Sequence, residues 1–417
     1  MEPITILTNK RLILGVTGSI AVYKAIDLAS KLTQAGALVD VIMTDAAQKF
    51  VMPLAFQAVT GRPVYTDLWQ TETGGGLPTH IAHVGLSEAA DLLAIMPATA
   101  DTLARLAHGN ASDLLTITAL AVRCPVICAP AMDGAMYSHP ATQSNVALLR
   151  ERGVRVIEPE TGRFASGLAG IGRLPETPTL IGAIRTTLGQ NGSLRERRVV
   201  VTAGGTREAI DPVRYLTNHS SGKQGYALAQ AALDAGASVT LITAARGLNA
   251  PYGAHVVPVD SADEMLAAVL DHTQRSDALL MAAAVADFRP AQVAEDKIKK
   301  STANEEGWSL PLARTADILA TVAERRRETG FPRIVVAFAA ESRDLLENAR
   351  DKLIRKGADM LAANDITEQD AGFDVDTNRV TLLYPNAEPE ALPLLSKTAV
   401  SEAIISRVAE RLGSPAP

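Results

Sequence analysis

The amino-acid sequence predicts an α/β protein made of two doubly wound, Rossmann-like domains, each built on a parallel sheet. The chain has 417 residues, which is more than one ordinary hydrophobic core organises. Short, continuously apolar runs alternate with helical segments, as in parallel sheets that are covered on both faces. A polar, aperiodic stretch at 186–198 separates one such series from a second. We therefore expect domains over 1–190 and 191–417.

The first series contains apolar runs that are predicted as strands of one sheet. They cover residues 12–16, 38–44, 91–99 and 125–131. A helix closed by Gly36 joins the first two runs. Ligands of such sheets bind beyond the carboxyl ends of the strands. We therefore expect the segments that contain or follow these ends to surround one crevice: 15–21, 43–47, 96–101 and 129–137.

The second series begins again with an apolar run and predicts a separate sheet. Its predicted strands lie within 198–208, 238–243, 278–285, 333–341 and 358–365. One helix is expected from about residue 223 and another over 261–273. Ser261 is the expected N-cap of the second helix, and Glu264 follows at the spacing of a capping box.

Composition and charge exclude several classes of function. The formal net charge is −6, and the basic runs at 195–198, 297–300 and 324–327 are short and flanked by acidic or apolar residues. A surface that binds nucleic acid is therefore not expected. No apolar run approaches the roughly 20 residues of a membrane span and the N-terminus has no signal pattern, so we expect a cytoplasmic protein. Cys124 and Cys128 lie in an apolar run and are expected to be core thiols.

The turn after the first strand is a candidate anion site. Thr17, Gly18 and Ser19 precede a helix and offer hydroxyl and backbone N–H groups. The spacing is G-x-x-G rather than G-x-G-x-x-G, and Asp40 lies inside the second strand rather than at its end. A single terminal phosphate, as on flavin mononucleotide, fits this turn better than a pyrophosphate, and a plain strand–helix turn is the alternative. The absence of the G-x-G-x-x-G motif from this turn disfavours an NAD(P)-dependent reductase.

Two histidines, His80 and His83, lie between a Gly-rich loop and the strand that begins near 91. A histidine at this position can act as a general base beside a ligand. It can equally cap a helix, and the residues alone do not choose between these roles.

Four motifs of this half together resemble the flavin-dependent cysteine decarboxylases, which include phosphopantothenoylcysteine decarboxylase and the peptidyl-cysteine decarboxylases of lantibiotic synthesis. The resemblance covers roughly 8–185, and its motifs are GVTGSIAVYK, HVGL with ADLLAIMPATADTLARLAHGNASDLL, APAMDGAMYSHPATQSN and GRFASGLAGIGRL. It implies a trimer in which the flavin oxidises the substrate thiol before carbon dioxide leaves. His83 rather than His80 matches the family's catalytic histidine. The implied FMN-binding residues are Gly18, Ser19, Thr44 and the Pro97–Asp101 segment, in particular Pro97, Ala98 and Thr99.

The sequence departs from this family at two positions. Asp133 replaces the asparagine that binds the substrate carboxylate, so it must be protonated, turned away or compensated, for example by Arg163 or Arg173. Ser166 replaces the cysteine that protonates the enethiolate. Ser166 could relay a proton or Asp133 could supply it; alternatively, this half only binds flavin. The Gly-rich stretch 161–174 resembles the flexible flap that closes over the substrate.

The second half carries the residue types that handle a nucleoside triphosphate with Mg²⁺. Ser220, Ser221, Gly222 and Lys223 open a helix, where hydroxyl, N–H and ammonium groups suit a phosphate. The alternative is a capped helix with an incidental lysine. An acid at a strand end and several lysines complete the set. Among them, Lys352 and Lys356 stand at i, i+4 on one helix face.

Residues 195–410 resemble the CTP-using bacterial phosphopantothenate–cysteine ligases. The motifs are DPVRYLTNHSSGK, AAVADFR, KIKK, FAAE and AND. The resemblance implies that Asn218 stabilises an acyl-cytidylate and that Arg214 lies beside the substrate. The implied CTP-binding residues are Ala283, Asp287, Lys297, Ala316, Asp317, Ile318, Leu319, Phe338, Lys352 and Lys356. Ala316 stands where the family has proline.

Together the two resemblances imply a bifunctional enzyme of coenzyme A biosynthesis. The C-terminal half would join 4′-phosphopantothenate to cysteine with CTP, and the N-terminal half would decarboxylate the product with FMN. Ligase dimers that join decarboxylase trimers would form a dodecamer. The alternative is an active ligase fused to a flavin-binding domain without decarboxylase activity. The residues do not identify the Mg²⁺ ligands.

Overall fold

The computed structural model separates into two compact units, Met1–Gly189 (unit 1) and Gln190–Pro417 (unit 2). It describes residues 3–69, 81–164, 167–299, 308–341, 345–365 and 377–413. Within them, no helix is long and apolar enough to cross a membrane.

Unit 1 alternates strands and helices along most of its length. Its strands are β1 (Arg11–Val16), β2 (Leu38–Met43), β3 (Val64–Tyr65), β4 (Leu92–Ala98), β5 (Val126–Pro130), β6 (Arg155–Val156), β7 (Glu160–Arg163) and β8 (Ala169–Arg173). Its helices are α1 (Val22–Gln34), α2 (Asp45–Gln48), α3 (Pro53–Thr60), α4 (Ala82–Ala89), α5 (Ala100–His108), α6 (Leu114–Ala121), α7 (Gly134–Ser138), α8 (Pro140–Glu151) and α9 (Thr177–Gly189).

The main sheet of unit 1 has the order β3-β2-β1-β4-β5-β6, and every pairing in it is parallel. The order reverses between β1 and β4, so the crevice expected in such sheets lies at their carboxyl ends. Helices α4, α5, α6 and α8 share a core with the strand residues Ile13, Leu93 and Ile95. Helix α1 contacts α3 and α9 and buries Leu28 and Leu32.

Unit 2 starts the alternation again. Its strands are β9 (Arg198–Ala203), β10 (Arg207–Ala209), β11 (Tyr215–Thr217), β12 (Ser238–Thr243), β13 (His255–Pro258), β14 (Ala278–Met281), β15 (Phe288–Pro290), β16 (Leu312–Arg314), β17 (Ile334–Glu341), β18 (Met360–Asp365), β19 (Thr377–Asn378), β20 (Val380–Tyr384), β21 (Ala387–Ala391) and β22 (Leu395–Ser396). Its helices are α10 (Lys223–Asp234), α11 (Ala262–His272), α12 (Ile318–Thr329), α13 (Leu345–Arg355) and α14 (Lys397–Leu412).

The main sheet of unit 2 has the order β13-β12-β9-β14-β17-β18-β20-β21. Its first six strands are parallel and repeat the order of unit 1, whereas β20 and β21 add an antiparallel edge. Leu228 of α10 and Ile404 of α14 belong to one core, and Met265, Val322 and Leu353 of α11–α13 belong to another. Helices therefore cover both faces, and the predicted α/β class with two doubly wound sheets is confirmed.

Some local features differ from the sequence-based expectations. The antiparallel edge and the small hairpins, such as β7–β8, were not predicted. Ser261 caps α11 by accepting the Glu264 N–H, but the Glu264 carboxylate accepts from Asp260 N rather than from Ser261 N. The reciprocal half of the capping box therefore falls one residue earlier.

Cys124 and Cys128 are free thiols, and burial raises their pKa values to about 11 and about 12.

Candidate active sites

The crevice of unit 1 is organised by the buried hydroxyl of Thr17. Its Oγ1 donates to the Pro97 carbonyl at 2.7 Å and accepts from the Thr99 N–H at 3.1 Å. These two bonds join the loop after β1 to the end of β4, where the strand order reverses. Thr17, considered from sequence as an anion ligand, therefore makes a structural link.

Three loops carry the residues that were predicted to bind FMN. Thr44 caps α2 by accepting from Ala47 N, Thr99 caps α5 by accepting from Thr102 N, and the Ser19 Oγ accepts from Ala21 N. Gly18 lies so close to α2 that a Cβ built on it would stand 2.5 Å from the Ala46 Cβ. The predicted set, at the carboxyl edge of β1, β2 and β4, is Gly18, Ser19, Thr44, Pro97, Ala98 and Thr99.

His83 is the second residue of α4 and is partly buried. Its ring Nδ1 is buried and has no hydrogen-bond partner among the described residues, which is a costly state for a polar atom. An orphaned ring nitrogen is available to a ligand or to a proton-transfer step. His80 lies outside the described residues.

The hairpin β7–β8 covers the start of α7. The Met132 N–H donates to the Gly172 carbonyl at 2.9 Å. Gly172 has φ of +143°, and a Cβ there would stand 2.3 Å from the Met132 carbonyl oxygen, so this contact needs glycine. The Gly-rich stretch predicted as a flexible flap thus folds largely as a β-hairpin, while Ser166 lies outside the described residues.

A cavity of about 540 Å³ lies between this hairpin, α1 and the segment after β5. Ser19 and Asp133 both line it, so the structure brings one predicted FMN residue together with the predicted substrate residue. Asp133 caps α7, because its Oδ1 accepts from Ala135 N at 3.0 Å. Arg163 and Arg173 line the same cavity.

Charged side chains fix the base of the hairpin to α1. The Lys24 ammonium, only 5% exposed, donates to the Leu174 carbonyl at 2.9 Å and to Glu176 at 2.8 Å. Arg173 also pairs with Glu176 at 2.7 Å. The hydrogen bond from Lys24, assisted by both positive charges, holds the pKa of Glu176 below its usual range.

The crevice of unit 2 is organised in the same way as that of unit 1, again by a buried threonine. Thr206 lies in the loop after β9; its Oγ1 accepts from Ala286 N at 2.9 Å and its N–H donates to the Ala284 carbonyl. These bonds join the loops after β9 and β14, where the strand order reverses. Asn218 lies beside them, because its Nδ2 donates to the Val285 carbonyl at 3.0 Å.

Two cavities of about 500 Å³ adjoin at this crevice, and both are lined by Ala283, Val285, Asp287 and Phe338. We call them the first and second cavities. Predicted CTP residues that line only the first cavity are Ala316, Asp317, Ile318, Leu319 and Lys356. The second cavity contains Asn218, Lys352 and the start of α10. The structure therefore brings most of the predicted ligase residues together.

An ion pair between Asp317 and Lys356 lies in the first cavity. Asp317 also caps α12 by accepting from Ala320 N. Burial raises the pKa of Asp317, but the hydrogen bond and charge of Lys356 outweigh burial and hold this pKa below its usual range. The two residues thus fix the start of α12 against the end of α13.

Two predicted residues, Arg214 and Lys297, do not line either cavity. The Arg214 guanidinium pairs with buried Asp211 and donates to the Ile298 carbonyl at 2.9 Å, and Asp211 accepts from Ile298 N. Lys297 is exposed. The charge of Arg214 is thereby used to hold the backbone next to Lys297.

Sequence reasoning assigned no role to five polar residues of the second cavity, namely His219, Gln224, Asn364, Asn378 and Lys397. Asn364 lies in the quoted AND motif at the end of β18. Asn378 lies in the antiparallel strand β19 and Lys397 begins helix α14, and no sequence motif marks either residue. Among the described residues there is no group of three or more His, Cys, Asp or Glu side chains that could hold a metal ion.

The comparison with family models matches both units. Residues 2–189 match the Flavoprotein family, and residues 194–412 match the C-terminal domain family of the DNA/pantothenate metabolism flavoproteins. The coenzyme A biosynthesis bifunctional protein CoaBC of Bacillus subtilis (strain 168) is 45% identical over 406 residues, which cover 97% of each chain. That of Mycobacterium tuberculosis (strain ATCC 25618 / H37Rv) is 46% identical over 410 residues, which cover 96% of each chain.

Solved structures match each unit separately. The C-terminal domain of a coenzyme A biosynthesis bifunctional protein CoaBC is 38% identical, covers 53% of this chain and 98% of its own, and has a TM-score of 0.45. The FMN-dependent cysteine decarboxylase SpaF is 38% identical, covers 44% of this chain and 97% of its own, and has a TM-score of 0.37.

Proposed function

The chain belongs to the family of coenzyme A biosynthesis bifunctional proteins, and we propose which unit carries out each reaction and with which residues. It is a bifunctional enzyme with ligase and decarboxylase activities. Unit 2 joins 4′-phosphopantothenate to cysteine with CTP. Unit 1 decarboxylates the resulting 4′-phosphopantothenoylcysteine with FMN.

The observation that carries the ligase proposal is the pair of adjoining cavities in unit 2. A carboxylate oxygen of 4′-phosphopantothenate attacks the α-phosphorus of CTP, and pyrophosphate leaves. The cysteine amine then attacks the acyl carbon, and CMP leaves as the amide forms. Both steps need two reactants held against each other, which adjoining cavities with a common wall provide.

The residues divide between the two reactants. CTP occupies the first cavity, with its nucleoside near Ala283, Phe338 and residues 316–319. Its triphosphate lies near Lys356 and extends towards Lys352, which lines the adjoining second cavity. The acid occupies the second cavity. Asn218 retains an amide N–H beyond its bond to Val285, and this group donates to the acyl-cytidylate.

Mg²⁺ fits a cavity of this composition. It is commonly bound by one or two carboxylates together with the phosphates of a nucleotide, and Asp287 and Asp317 line the first cavity. Arg214 acts indirectly, because it holds the backbone at Ile298 and so positions Lys297 for the triphosphate.

The carboxyl edge of unit 1 fits FMN. The close approach of Gly18 to Ala46 leaves no room for a side chain at position 18, and the Nδ1 of His83, buried without a partner among the described residues, needs one. FMN, when bound, supplies the oxidation of the substrate thiol. Gly18, Ser19, Thr44, Pro97, Ala98 and Thr99 hold the cofactor in this proposal.

In unit 1, the proposed catalytic residues divide the proton transfers. His83 orients the substrate or accepts its proton. Ser166 relays a proton to the enethiolate or Asp133 supplies it. Arg163 or Arg173, which line the same cavity as Asp133, compensates the Asp133 charge. Decarboxylase trimers joined by ligase dimers give the proposed dodecamer.

One assay tests both halves. The purified protein is given 4′-phosphopantothenate, cysteine, CTP and Mg²⁺, and pyrophosphate and carbon dioxide are measured separately. Both should appear, and both should depend on CTP. Supplying 4′-phosphopantothenoylcysteine directly should give carbon dioxide without CTP. Pyrophosphate in the first assay with no carbon dioxide in either assay would leave unit 1 as a flavin-binding domain only.

A further inference from the structure

One wall of the second cavity consists of Gln224, Asn364, Asn378 and Lys397, which we call the amide wall. Its residues come from the start of α10, the end of β18, β19 and the start of α14. Neither reaction step derived above uses any of them. The wall stands apart from Ala316–Leu319 and Lys356, which line only the first cavity.

A chain of hydrogen bonds determines which side-chain atom of Asn378 has no partner among the described residues. The Ser401 hydroxyl donates to the Lys397 carbonyl at 2.7 Å, so its oxygen accepts from the Gln224 Nε2 at 2.8 Å. The Gln224 Nε2 also faces the Lys397 carbonyl at 3.4 Å. The Gln224 Oε1 must therefore face the Asn378 Nδ2, which lies 3.5 Å away.

This chain leaves the Asn378 Oδ1 as an acceptor without a donor. Asn378 is only 5% exposed, and its Oδ1 is buried with no hydrogen-bond partner among the described residues. The Asn364 Oδ1 is likewise buried and has no hydrogen-bond partner among the described residues. A buried acceptor without a donor costs free energy, and the two residues that carry such an acceptor line the same cavity. A ligand with two donor groups would remove both costs.

The charges nearby decide what kind of donor suits this wall. Lys352, Lys397 and the N-terminus of α10 line the cavity together with Asp287, so positive groups outnumber the one carboxylate among its lining residues. An ammonium donor would be repelled there. Neutral donors, such as a hydroxyl or an amide N–H, are not repelled by positive charge. Anionic groups elsewhere in the same molecule would be attracted by it.

We propose that Asn364 and Asn378 form the subsite that recognises the neutral hydroxyl and amide N–H donors of the anionic acid substrate. This proposal rests on the proposed function, under which the acid is 4′-phosphopantothenate. That molecule has one secondary hydroxyl and one amide N–H between a phosphate and a carboxylate. The two orphaned acceptors match its two neutral donors in number and in kind.

The test uses the full chain and three single variants: Asn364→Ala, Asn378→Ala and the control Asn386→Ala. Asn386 is exposed in the turn between β20 and β21 and does not line the second cavity. Pyrophosphate release is measured against the concentrations of 4′-phosphopantothenate and of CTP. A second acid, 4′-phosphopantothenate without its secondary hydroxyl, is assayed with every protein.

We expect each cavity variant to raise the KM for the acid about tenfold, the effect of one lost hydrogen bond. The KM for CTP and the control should stay within about twofold of wild type. The deoxy acid should be about tenfold poorer than the acid for wild type, but equally good for the variant that lost its hydroxyl acceptor. A purely structural asparagine would not abolish this discrimination.

Three results would overturn the subsite. These are an unchanged KM for the acid in both variants, a KM for CTP that rises in parallel with it, or unchanged discrimination against the deoxy acid in both variants. A wild-type protein that releases no acid-dependent pyrophosphate would instead overturn the proposed function itself. The wild-type arm therefore separates the two kinds of failure.

Discussion

The two units join the loops at the strand-order reversal with a buried threonine, but they fill the resulting crevice differently. In unit 1, Thr17 joins the ends of β1 and β4, and in unit 2, Thr206 joins the ends of β9 and β14. The crevice of unit 1 is shaped by glycines, helix starts and a hairpin held by a backbone hydrogen bond and by the Lys24–Glu176 pair. That of unit 2 is lined by lysine, aspartate and asparagine side chains.

This difference separates the scaffold from the chemistry. The same strand order places a ligand at the same edge in both units, so the scaffold alone does not choose a reaction. In unit 2 the choice lies in side chains that the sequence displays. In unit 1 the choice of reaction depends more on close backbone approaches, and in the sequence these are marked only by glycines.

The largest effect is expected from a methyl group at the first turn of unit 2. Gly204 has φ of +82°, and a Cβ there would stand 2.4 Å from the Ala245 nitrogen. We expect Gly204→Ala to destabilise unit 2 by about 3 kcal/mol, from strain and overpacking. Displacement of the loop should lower acid-dependent pyrophosphate release about 100-fold. Urea unfolding and the pyrophosphate assay measure the two effects.

Gly247→Ala is the matched control for this substitution. Gly247 also has positive φ, at +78°, but a Cβ there would meet nothing within 4 Å. It should therefore show the strain alone, and its pyrophosphate release should stay near wild type. If both variants lost activity equally, the close approach to Ala245 would not be what shapes the crevice.

A methyl group at the first turn of unit 1 should have a smaller effect. At Gly18 the nearest obstacle is the Ala46 Cβ, at 2.5 Å, with no positive φ. We expect Gly18→Ala to cost about 2 kcal/mol and to lower flavin content and carbon dioxide release about tenfold. Pyrophosphate release should be unchanged, and Ala46→Gly should partly restore the flavin. Flavin absorbance per protein is the direct measurement. Full retention of flavin would contradict the proposed role of the Gly18 turn in FMN binding.

Weakening the base of the hairpin should have a more modest effect on unit 1. Lys24→Met removes the ammonium that binds Glu176 and the Leu174 carbonyl, and we expect carbon dioxide release to fall about fivefold. The pKa of Glu176 is lowered in the folded chain, so its pairing stabilises the fold above the ordinary glutamate pKa of about 4.3. That stability is lost as the pH falls through the lowered pKa of Glu176 in the folded chain.

The variant and the wild type should therefore differ in unfolding at neutral pH and converge in acid. Flavin release during urea unfolding at several pH values follows unit 1. Lys31→Met is the matched control, because Lys31 pairs with Asp27 on the exposed part of the same helix. An equal loss in both variants would mean that the buried link to the hairpin has no special role.

The sequence predicted most of the fold because buried parallel strands are continuously apolar runs, which can be recognised without knowing the neighbouring strand. It missed β20 and β21 because antiparallel edge strands are half-exposed and carry a weaker pattern. The sequence pointed to cavity-lining residues where a motif or a helical spacing marked them, as at Asp287, Phe338 and Lys356, whose ligase roles stay predictions. Asn378 was missed because its unpaired oxygen results from a hydrogen-bond chain through Gln224 and Ser401, which no local spacing encodes.

The smallest effect is expected from Asp133→Asn, which restores the asparagine that the flavin-dependent cysteine decarboxylases have at this position. Asp133→Asn should keep the cap on α7, because an amide oxygen also accepts from Ala135 N. It removes one negative charge from the cavity that Arg163 and Arg173 line. Less repulsion of the substrate carboxylate should lower the KM for 4′-phosphopantothenoylcysteine about threefold.

The pH profile separates this charge effect from a chemical role of Asp133. If Asp133 supplies the proton to the enethiolate, Asp133→Asn should also lower kcat and change its pH dependence. Asp133→Ala, which removes the cap as well, shows how much of any change comes from α7. If product formation and the pH profile stayed as in wild type, Asp133 would neither donate the proton nor repel the substrate. The arginines alone would then neutralise it, and Ser166 would be left as the proposed route for the proton.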